Sequence, residues 1–338
     1  MKVRDFTLRR ILVTGGAGFI GSAFIRHLHR HLPQVELVNL DKLTYAGNLA
    51  NLAGIEDHYR FVKGDIKDRD VVERSLDGVD VVVNFAAETH VDRSIQEAGE
   101  FILTDVYGVY NLLECVRANS GIKLFIHIST DEVYGSIASG SFAEDAPLNP
   151  SSPYAASKTG GDRLAYAYHR TYGVPVIVVR PCNNYGPFQY PEKLIPLFIL
   201  NAIQDKPLPL YGDGLNRRDW LFVEDTARGV LAVMERGELG QAYNMGADQE
   251  ATNRQITANI LALLGKPESL IQPVQDRLGH DFRYSISWKK LRCLGWEPQV
   301  LLPDGLKRTV DWYVANRTWW QDVIRKREYV EHIRKSYV

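Results

Sequence analysis

Tyr154 and Lys158 stand four residues apart, downstream of a run Thr130-Asp131-Glu132 that closes an apolar segment. On a helix that spacing puts the phenol and the ammonium on one face. A free phenol ionises near pH ~10, so a tyrosine acts as a base at neutral pH only where a neighbouring cation favours the phenolate, and Lys158 is the cation at hand. Such a pair takes a proton from a hydroxyl while the carbon that bears it gives hydride to a nicotinamide. Asp131 and Glu132 add a second capability. Neighbouring carboxyls can be driven to opposite protonation states by repulsion and burial, which yields one acid and one base, the division of labour that a dehydration needs. Each motif also has a plainer reading. Tyr-x-x-x-Lys occurs by chance on many helices, and two acids after a strand are commonly a solvated turn or a helix start. The surrounding elements decide between them.

Those elements alternate. Ile11-Leu12-Val13, Glu36 to Leu40, Arg60 to Val62, Val79 to Phe85, Leu124 to Ile128 and Val174 to Val179 read as strands, with Ser22 to His31, Phe101 to Ala118 and Tyr154 to Tyr172 as crossover helices. Short β-branched runs separated by helix-length pieces imply an α/β fold, a Rossmann-type doubly wound parallel sheet covered on both faces. After Arg180 the texture changes: Pro181, Pro187, Pro191, Pro196, Pro207 and Pro209 crowd together and regular alternation gives way to shorter elements. The chain therefore divides into residues 1–180, a cofactor-binding domain, and residues 181–338, a smaller C-terminal α+β substrate-binding region. Within the latter, Trp220 to Val223 and Tyr243 to Met245 are strands that could return to the main sheet. Trp319 to Val338 is helical in texture and mildly basic, and reads as a solvated terminal helix.

The first strand runs straight into Gly15-Gly16-Ala17-Gly18-Phe19-Ile20-Gly21 and then a helix. Glycines at 15, 18 and 21 permit a tight turn, close approach to a pyrophosphate and tight helix packing, and the helix start offers free N–H groups to phosphates. The second strand ends in Asp41, about 20 residues past Gly21, where a carboxylate would bind a ribose 2′-hydroxyl and repel a 2′-phosphate. NAD is favoured over NADP. Asp65 and Ile66 after the third strand are placed for the adenine, and Ala86-Ala87 after the fourth leave room for a cofactor. Asp131 and Glu132 stand at the carboxyl end of a strand of this sheet, which is where open α/β sheets bind their ligands.

Bulk properties narrow the partners. Lysine plus arginine (40) nearly cancels aspartate plus glutamate (41), which argues against a nucleic-acid binder. Cys115, Cys182 and Cys293 are odd in number and far apart, so they imply neither a disulfide framework nor a zinc site, and a reducing cytoplasm fits. Met1 to Arg10 lacks an apolar leader core, and no stretch approaches the 18 or so apolar residues of a membrane span.

Thr-Asp-Glu-Val-Tyr-Gly at 130–135, with Tyr154 and Lys158, resembles the extended short-chain dehydrogenase/reductases, and among them the dTDP-glucose 4,6-dehydratase family. The segments 41–48, 88–94, Asn183 to Pro187, Glu192 to Pro196 and Arg218-Asp219-Trp220 are similar to that family's pattern, so the likeness runs from about residue 11 to about residue 320. The resemblance implies catalysis by Thr130, Asp131, Glu132, Tyr154 and Lys158. It implies NAD contacts from Phe19, Ile20, Asp41, Lys42, Leu43, Thr44, Asp65, Ile66, Ala86, Ala87, Thr104, Tyr154, Lys158 and Asn184. A nucleotide sugar would meet Thr89, Thr130, Asn183, Lys193, Leu194, Pro209, Tyr211, Arg218, Asn253, Arg277 and His280, and the same likeness implies a homodimer paired through the helices 101–118 and 154–172. Two departures stand out: Leu278 where the family typically has proline, and no histidine after Asp225. Both are expected to bear on how the nucleotide base is held rather than on the reaction. UDP- or CDP-glucose dehydration, 4-epimerisation, UDP-glucuronate decarboxylation and a non-catalytic NAD sensor are the alternatives.

Overall fold

Seven strands hydrogen-bond side by side, all parallel, in the order Ala242–Met245, Val176–Pro181, Leu124–Ile128, Val81–Asn84, Arg10–Thr14, Glu36–Asp41, Arg60–Lys63. The coordinates are a computed structural model, which describes residues 2–3 and 5–337. Because side chains alternate along a strand, one face of the sheet takes Ile11, Val13, Val81 and Val83 and the other takes Leu12, Val82 and Phe125. The first face packs under Phe24, Ile25 and Leu28 of the helix Phe19–His31 and under Val230 and Val233 of the helix Val223–Arg236. The second packs under Leu112 and Val116 of the helix Val109–Ala118 and under Ala165 of the helix Pro153–Tyr172. Strand order reverses beside Arg10–Thr14, and the crevice at that switch point opens at the strands' carboxyl ends.

Several boundaries differ from the expectation. The sixth strand starts at Val176, after Pro175, and runs to Pro181. The helix expected over 101–118 contains a π-helical stretch, Ile102–Gly108, which carries Thr104 and Asp105. Tyr243 to Met245 lies within the seventh strand of the main sheet. Trp220 to Val223 does not return to that sheet. Arg217–Phe222 instead pairs with Asn183–Tyr185 and Glu250–Thr252 in a separate three-stranded sheet, because the strand of the main sheet breaks at Cys182 and resumes as Asn183–Tyr185, its parallel partner. Leu208–Tyr211 pairs with Ile271–Val274 beyond it, and a third core of Phe198, Trp220, Phe222, Ile256 and Tyr313 sits under these elements.

The terminal stretch corrects the reading of a solvated helix. It forms two helices, Arg317–Ile324 and Arg327–Tyr337, with Val338 outside the described residues. Trp320, Val323, Tyr329 and His332 are buried. Each helix sets its pair three residues apart, Trp320 with Val323 and Tyr329 with His332, which makes an inward face that mean composition conceals.

Candidate active site

The glycine loop is built for close approach. Gly15 adopts a left-handed φ of +69° and its N–H donates to Leu40 O at 2.9 Å; a Cβ there would lie 2.6 Å from Ala86 N. A Cβ on Gly21 would lie 2.3 Å from Gly15 O. Gly18 caps the helix Phe19–His31 without a side chain, which leaves the first-turn N–H groups turned outward for a phosphate. Asp41 steadies this turn: Oδ2 accepts from Ala17 N at 2.9 Å and Oδ1 from Leu43 N at 2.8 Å. Burial raises the Asp41 carboxyl while those two N–H groups oppose the rise. Lys42 Nζ lies 2.9 Å from Asp65 Oδ2, and Asp65 also accepts from Lys67 N at 3.0 Å. Burial works against ionisation of Asp65, but the Lys67 N–H and the Lys42 ammonium outweigh it and hold the group below its ordinary range. These residues fit a dinucleotide: turned-out donors for the pyrophosphate, a carboxylate for the ribose and glycines where any Cβ would collide.

At the other end, Ser152 caps the helix Pro153–Tyr172 by accepting from Ala155 N at 3.1 Å, and Pro153 occupies its first turn. Tyr154 N donates to Ser94 Oγ at 3.1 Å, and the phenol meets the Thr130 hydroxyl. Lys158 is buried and its Nζ donates to Ile128 O at 2.7 Å. The phenol does not show the lowering expected from Lys158: burial pushes it well up, with the negative charges of Glu132 and Asp105 adding to the rise and Thr130 opposing it. The Lys158 charge instead bears on Asp105 and His127.

Asp131 and Glu132 are not a solvated turn. Thr130 caps the short 3-10 helix Asp131–Tyr134, its Oγ1 accepting from Glu132 N at 3.3 Å and donating to Asp131 Oδ1 at 3.2 Å. Asp131 is 3% exposed and its Oδ2 has no hydrogen-bond partner among the described residues. Burial drives its pKa well up, followed by the Glu132 charge. Burial also raises Glu132, but Arg277, Arg218 and Lys193 all pull it back. Both carboxyls are therefore raised by burial; Arg218 opposes the rise at both, and Arg277 and Lys193 oppose it further at Glu132.

One cavity of about 390 Å³ takes in both ends. Every expected catalytic, cofactor and substrate residue lines it except Leu43, which lies at φ +57° behind Asp41 and lends it an N–H. Lys193, Arg218 and Arg277 bring three cations to the far wall, where Tyr211 OH donates to Asp92 Oδ2 at 3.0 Å and Arg277 Nη1 lies 3.4 Å from Asp92 Oδ1. The departures fall elsewhere than expected. Leu278 is 77% exposed and off the wall. Thr226 donates its hydroxyl to Asn184 Oδ1, and so acts on a residue that the family likeness assigns to the cofactor, not to the base.

Sequence reasoning also missed several groups. Tyr284 OH lies 3.4 Å from Glu132 Oε2 and donates to Asp281 Oδ2 at 2.8 Å, with the Arg218 guanidinium 4.2 Å over its ring. Glu88 lines the cavity; burial, then the Asp105 charge, raise it to about 7. Burial raises Asp105 to about 6, against Lys158 and the Ser157 hydroxyl that donates to Asp105 Oδ2 at 2.7 Å. Glu88 and Glu192 stand inside the matching segments 88–94 and Glu192 to Pro196, so those runs were the available signal. Nothing near Tyr284 in the chain marks it.

The sequence pattern of the family described as GDP-mannose 4,6 dehydratase matches residues 12–309. A dTDP-glucose 4,6-dehydratase of Streptomyces niveus is 50% identical over 319 residues, covering 92% of this chain and 95% of the relative. DesIV, a dTDP-glucose 4,6-dehydratase of Streptomyces venezuelae, crystallised with NAD and TYD bound, superposes with a TM-score of 0.91 at 52% identity, over 93% of this chain and 99% of that one. The dTDP-glucose 4,6-dehydratase of Bacillus anthracis in complex with NAD gives 0.87 at 47%, with the same coverage. The helices after residue 316 lie outside the family match.

Proposed function

The chain belongs to the GDP-mannose 4,6 dehydratase family, and from that premise we propose that it converts dTDP-glucose into dTDP-4-keto-6-deoxyglucose and water as an NAD-dependent hydro-lyase, like its relatives of 47–52% identity. The observation that carries the reading is the Asp131–Glu132 pair at the carboxyl end of a sheet strand, Asp131 buried and Glu132 half-buried, with Tyr154 and Lys158 in the same cavity. An epimerase has no use for a buried acid beside a base.

Gly15, Gly18, Phe19, Ile20, Gly21, Asp41, Lys42, Thr44, Asp65, Ile66, Ala86, Ala87, Thr104 and Asn184 hold the cofactor. NAD, when bound, supplies the acceptor for hydride from C4 and its later donor to C6, so no net redox occurs. By the family likeness Tyr154 takes the proton of the sugar 4-hydroxyl, with Thr130 at the phenol; burial raises that phenol, so the step needs the positive charge that bound NAD would add to that of Lys158. The 4-ketone acidifies the proton on C5. Glu132 removes that proton as Asp131 donates one to the departing 6-hydroxyl, and water leaves. Glu132 then returns a proton to C5 as C6 is reduced. Lys193, Arg218 and Arg277 take the diphosphate, while Thr89, Asn183, Leu194, Pro209, Tyr211, Asn253 and His280 complete the substrate wall. In this reading residues 1–180 serve chiefly the cofactor and 181–338 chiefly the nucleotide sugar, with Thr89 and Asn184 as crossings.

The active form is a homodimer. Ile102, Leu103, Tyr107 and Tyr110 on one helix and Tyr166 and Tyr172 on the next are 41–53% exposed, an apolar and aromatic face of the kind that pairs with its own copy. Among the described residues no helix is long and apolar enough to cross a membrane, and a cytoplasmic setting keeps the three thiols reduced.

The test is to incubate the purified protein with dTDP-glucose, without added NAD, and to follow a 4-keto product. Turnover with dTDP-glucose ahead of UDP- and CDP-glucose is expected. A protein inert towards all three sinks the reading.

A further inference from the structure

The loop that carries Gln189, Tyr190, Glu192 and Lys193 has the cavity on one side and the C-terminal helices on the other. Glu192 is 1% exposed. Its Oε2 accepts from Arg93 Nε at 2.8 Å, while its Oε1 has no partner among the described residues. His90 Nε2 sits 3.3 Å from the Glu192 carbonyl oxygen. His332 closes the back of this corner: it is 3% exposed, its Nε2 lies 3.7 Å from Glu192 Oε2, and its ring stands edge-on to His90 with centroids 5.0 Å apart. One turn earlier, Tyr329 places its hydroxyl 3.4 Å from Pro191 O and its ring against Tyr190.

We propose that the terminal helix Arg327–Tyr337 is part of the nucleotide-sugar site, with His332 the positioning residue that holds the Glu192-Lys193 corner in its binding conformation. This rests on the reading that the cavity takes a nucleotide sugar. The carboxylate's pairing with Arg93 through Oε2 lasts only if water is kept out of the space behind that oxygen, where His332 Nε2 lies 3.7 Å away without hydrogen-bonding to it. His332 fills that space with a ring, and burial, then the nearby Arg93, hold the ring's pKa near 4, so it adds no competing cation at neutral pH. Withdrawing the helix would admit water behind Glu192, screen its pairing with Arg93 and free the adjoining Lys193. The cost then appears as lost preorganisation for substrate and not as lost chemistry. The helix lies outside the family match, so this corner is braced by a segment that the family pattern does not describe.

Steady-state kinetics with dTDP-glucose on the full chain test the proposal, alongside melting curves. His332→Ala, which empties that space, is expected to raise KM about 5- to 10-fold with kcat within about 2-fold, the signature of lost ground-state binding. His332→Phe, which keeps an uncharged ring behind Glu192, should stay near the parent. A chain ending at Lys326 should raise KM at least as much as His332→Ala, and if it fails to fold, His332→Ala decides. A parental KM in His332→Ala overturns the proposal, as does an equal fall of kcat and melting temperature in both His332 variants, which marks general packing. A parent inert towards dTDP-glucose defeats the functional reading instead. Calorimetric binding of dTDP to the same variants then decides: a weakened Kd in His332→Ala supports the positioning role and an unchanged one overturns it.

Discussion

Asp131 and Glu132 are joined by one peptide bond and face different charges. Asp131 feels Glu132 and Asp219 against Arg218 alone, from a site with no hydrogen-bond partner for its Oδ2 among the described residues, whereas at Glu132 Arg218 is joined by Arg277 and Lys193, against Asp281, and the Tyr284 hydroxyl lies 3.4 Å away. Mutual repulsion and unequal neighbours separate their proton affinities, which is what an elimination with one acid and one base demands.

Replacing Asp131 with asparagine removes the acid and keeps the shape. Water loss should slow by about 10²- to 10⁴-fold, the usual worth of a positioned general acid. Oxidation at C4, which uses Tyr154, should persist, so a single-turnover experiment should show reduced nicotinamide accumulating without dehydrated product. Equal loss of both steps would remove Asp131 from the acid role.

Glu88 gives the fold a pH dependence of definite sign. Its carboxyl is raised from 4.5 to about 7 in the folded chain, by burial first and the Asp105 charge second. Between those values the unfolded chain has released a proton that the folded chain still holds, so stability falls as pH rises through the window, by up to about 3 kcal/mol. Asp105, raised from 3.8 to about 6, acts in the same direction at lower pH. Glu88→Gln should flatten the fall of melting temperature between pH 5 and 7 and leave the protein more stable than the parent at pH 8, both read by calorimetry. A variant with the parent's slope would assign the pH dependence elsewhere.

Gly15→Ala tests the cofactor turn. The left-handed φ of +69° and a Cβ only 2.6 Å from Ala86 N leave the methyl no space. The variant should lose about 1–3 kcal/mol of stability and purify with less bound NAD, measured by extracting and quantifying the nucleotide. Full NAD content in a stable Gly15→Ala protein would contradict the close approach of loop and strand.

The legible parts of this protein are those in which function is written in local pattern. The glycine turn, the doubly apolar strands and the Thr130-Asp131-Glu132 run each lie within a few consecutive residues, and a strand end next to a glycine turn implies where the cavity opens. Tyr284 escaped because it meets Glu132 across a separation of 152 residues, on a segment with no periodicity to report it. Arg217–Phe222 escaped for a related reason: its pattern says strand, while its partner is set by the strand break at Cys182. The terminal helix looked solvated because its charged face outweighs Trp320, Val323, Tyr329 and His332 in mean composition, although their spacing is that of a buried face.

The catalytic helix has its own anchor, and breaking it should separate stability from chemistry. Asp162, two turns beyond Tyr154 on the helix Pro153–Tyr172, accepts from Arg180 Nε at 2.8 Å and Nη2 at 2.9 Å, a forked pair with both side chains within 1% of full burial. Burial opposes ionisation of Asp162, but the Arg180 guanidinium wins and holds the carboxyl down to about 2, so the pair stays charged across the neutral range. Arg180 also donates to the Tyr134 hydroxyl at 2.5 Å, which ties the anchor to the 3-10 helix bearing Asp131 and Glu132. Asp162→Asn leaves a buried guanidinium without its counter-charge and should cost about 3–5 kcal/mol in denaturant unfolding. Because neither residue lines the cavity, the folded fraction should keep its KM for dTDP-glucose. A variant as stable as the parent would mean that the pair is not what fixes the helix to the strand Val176–Pro181.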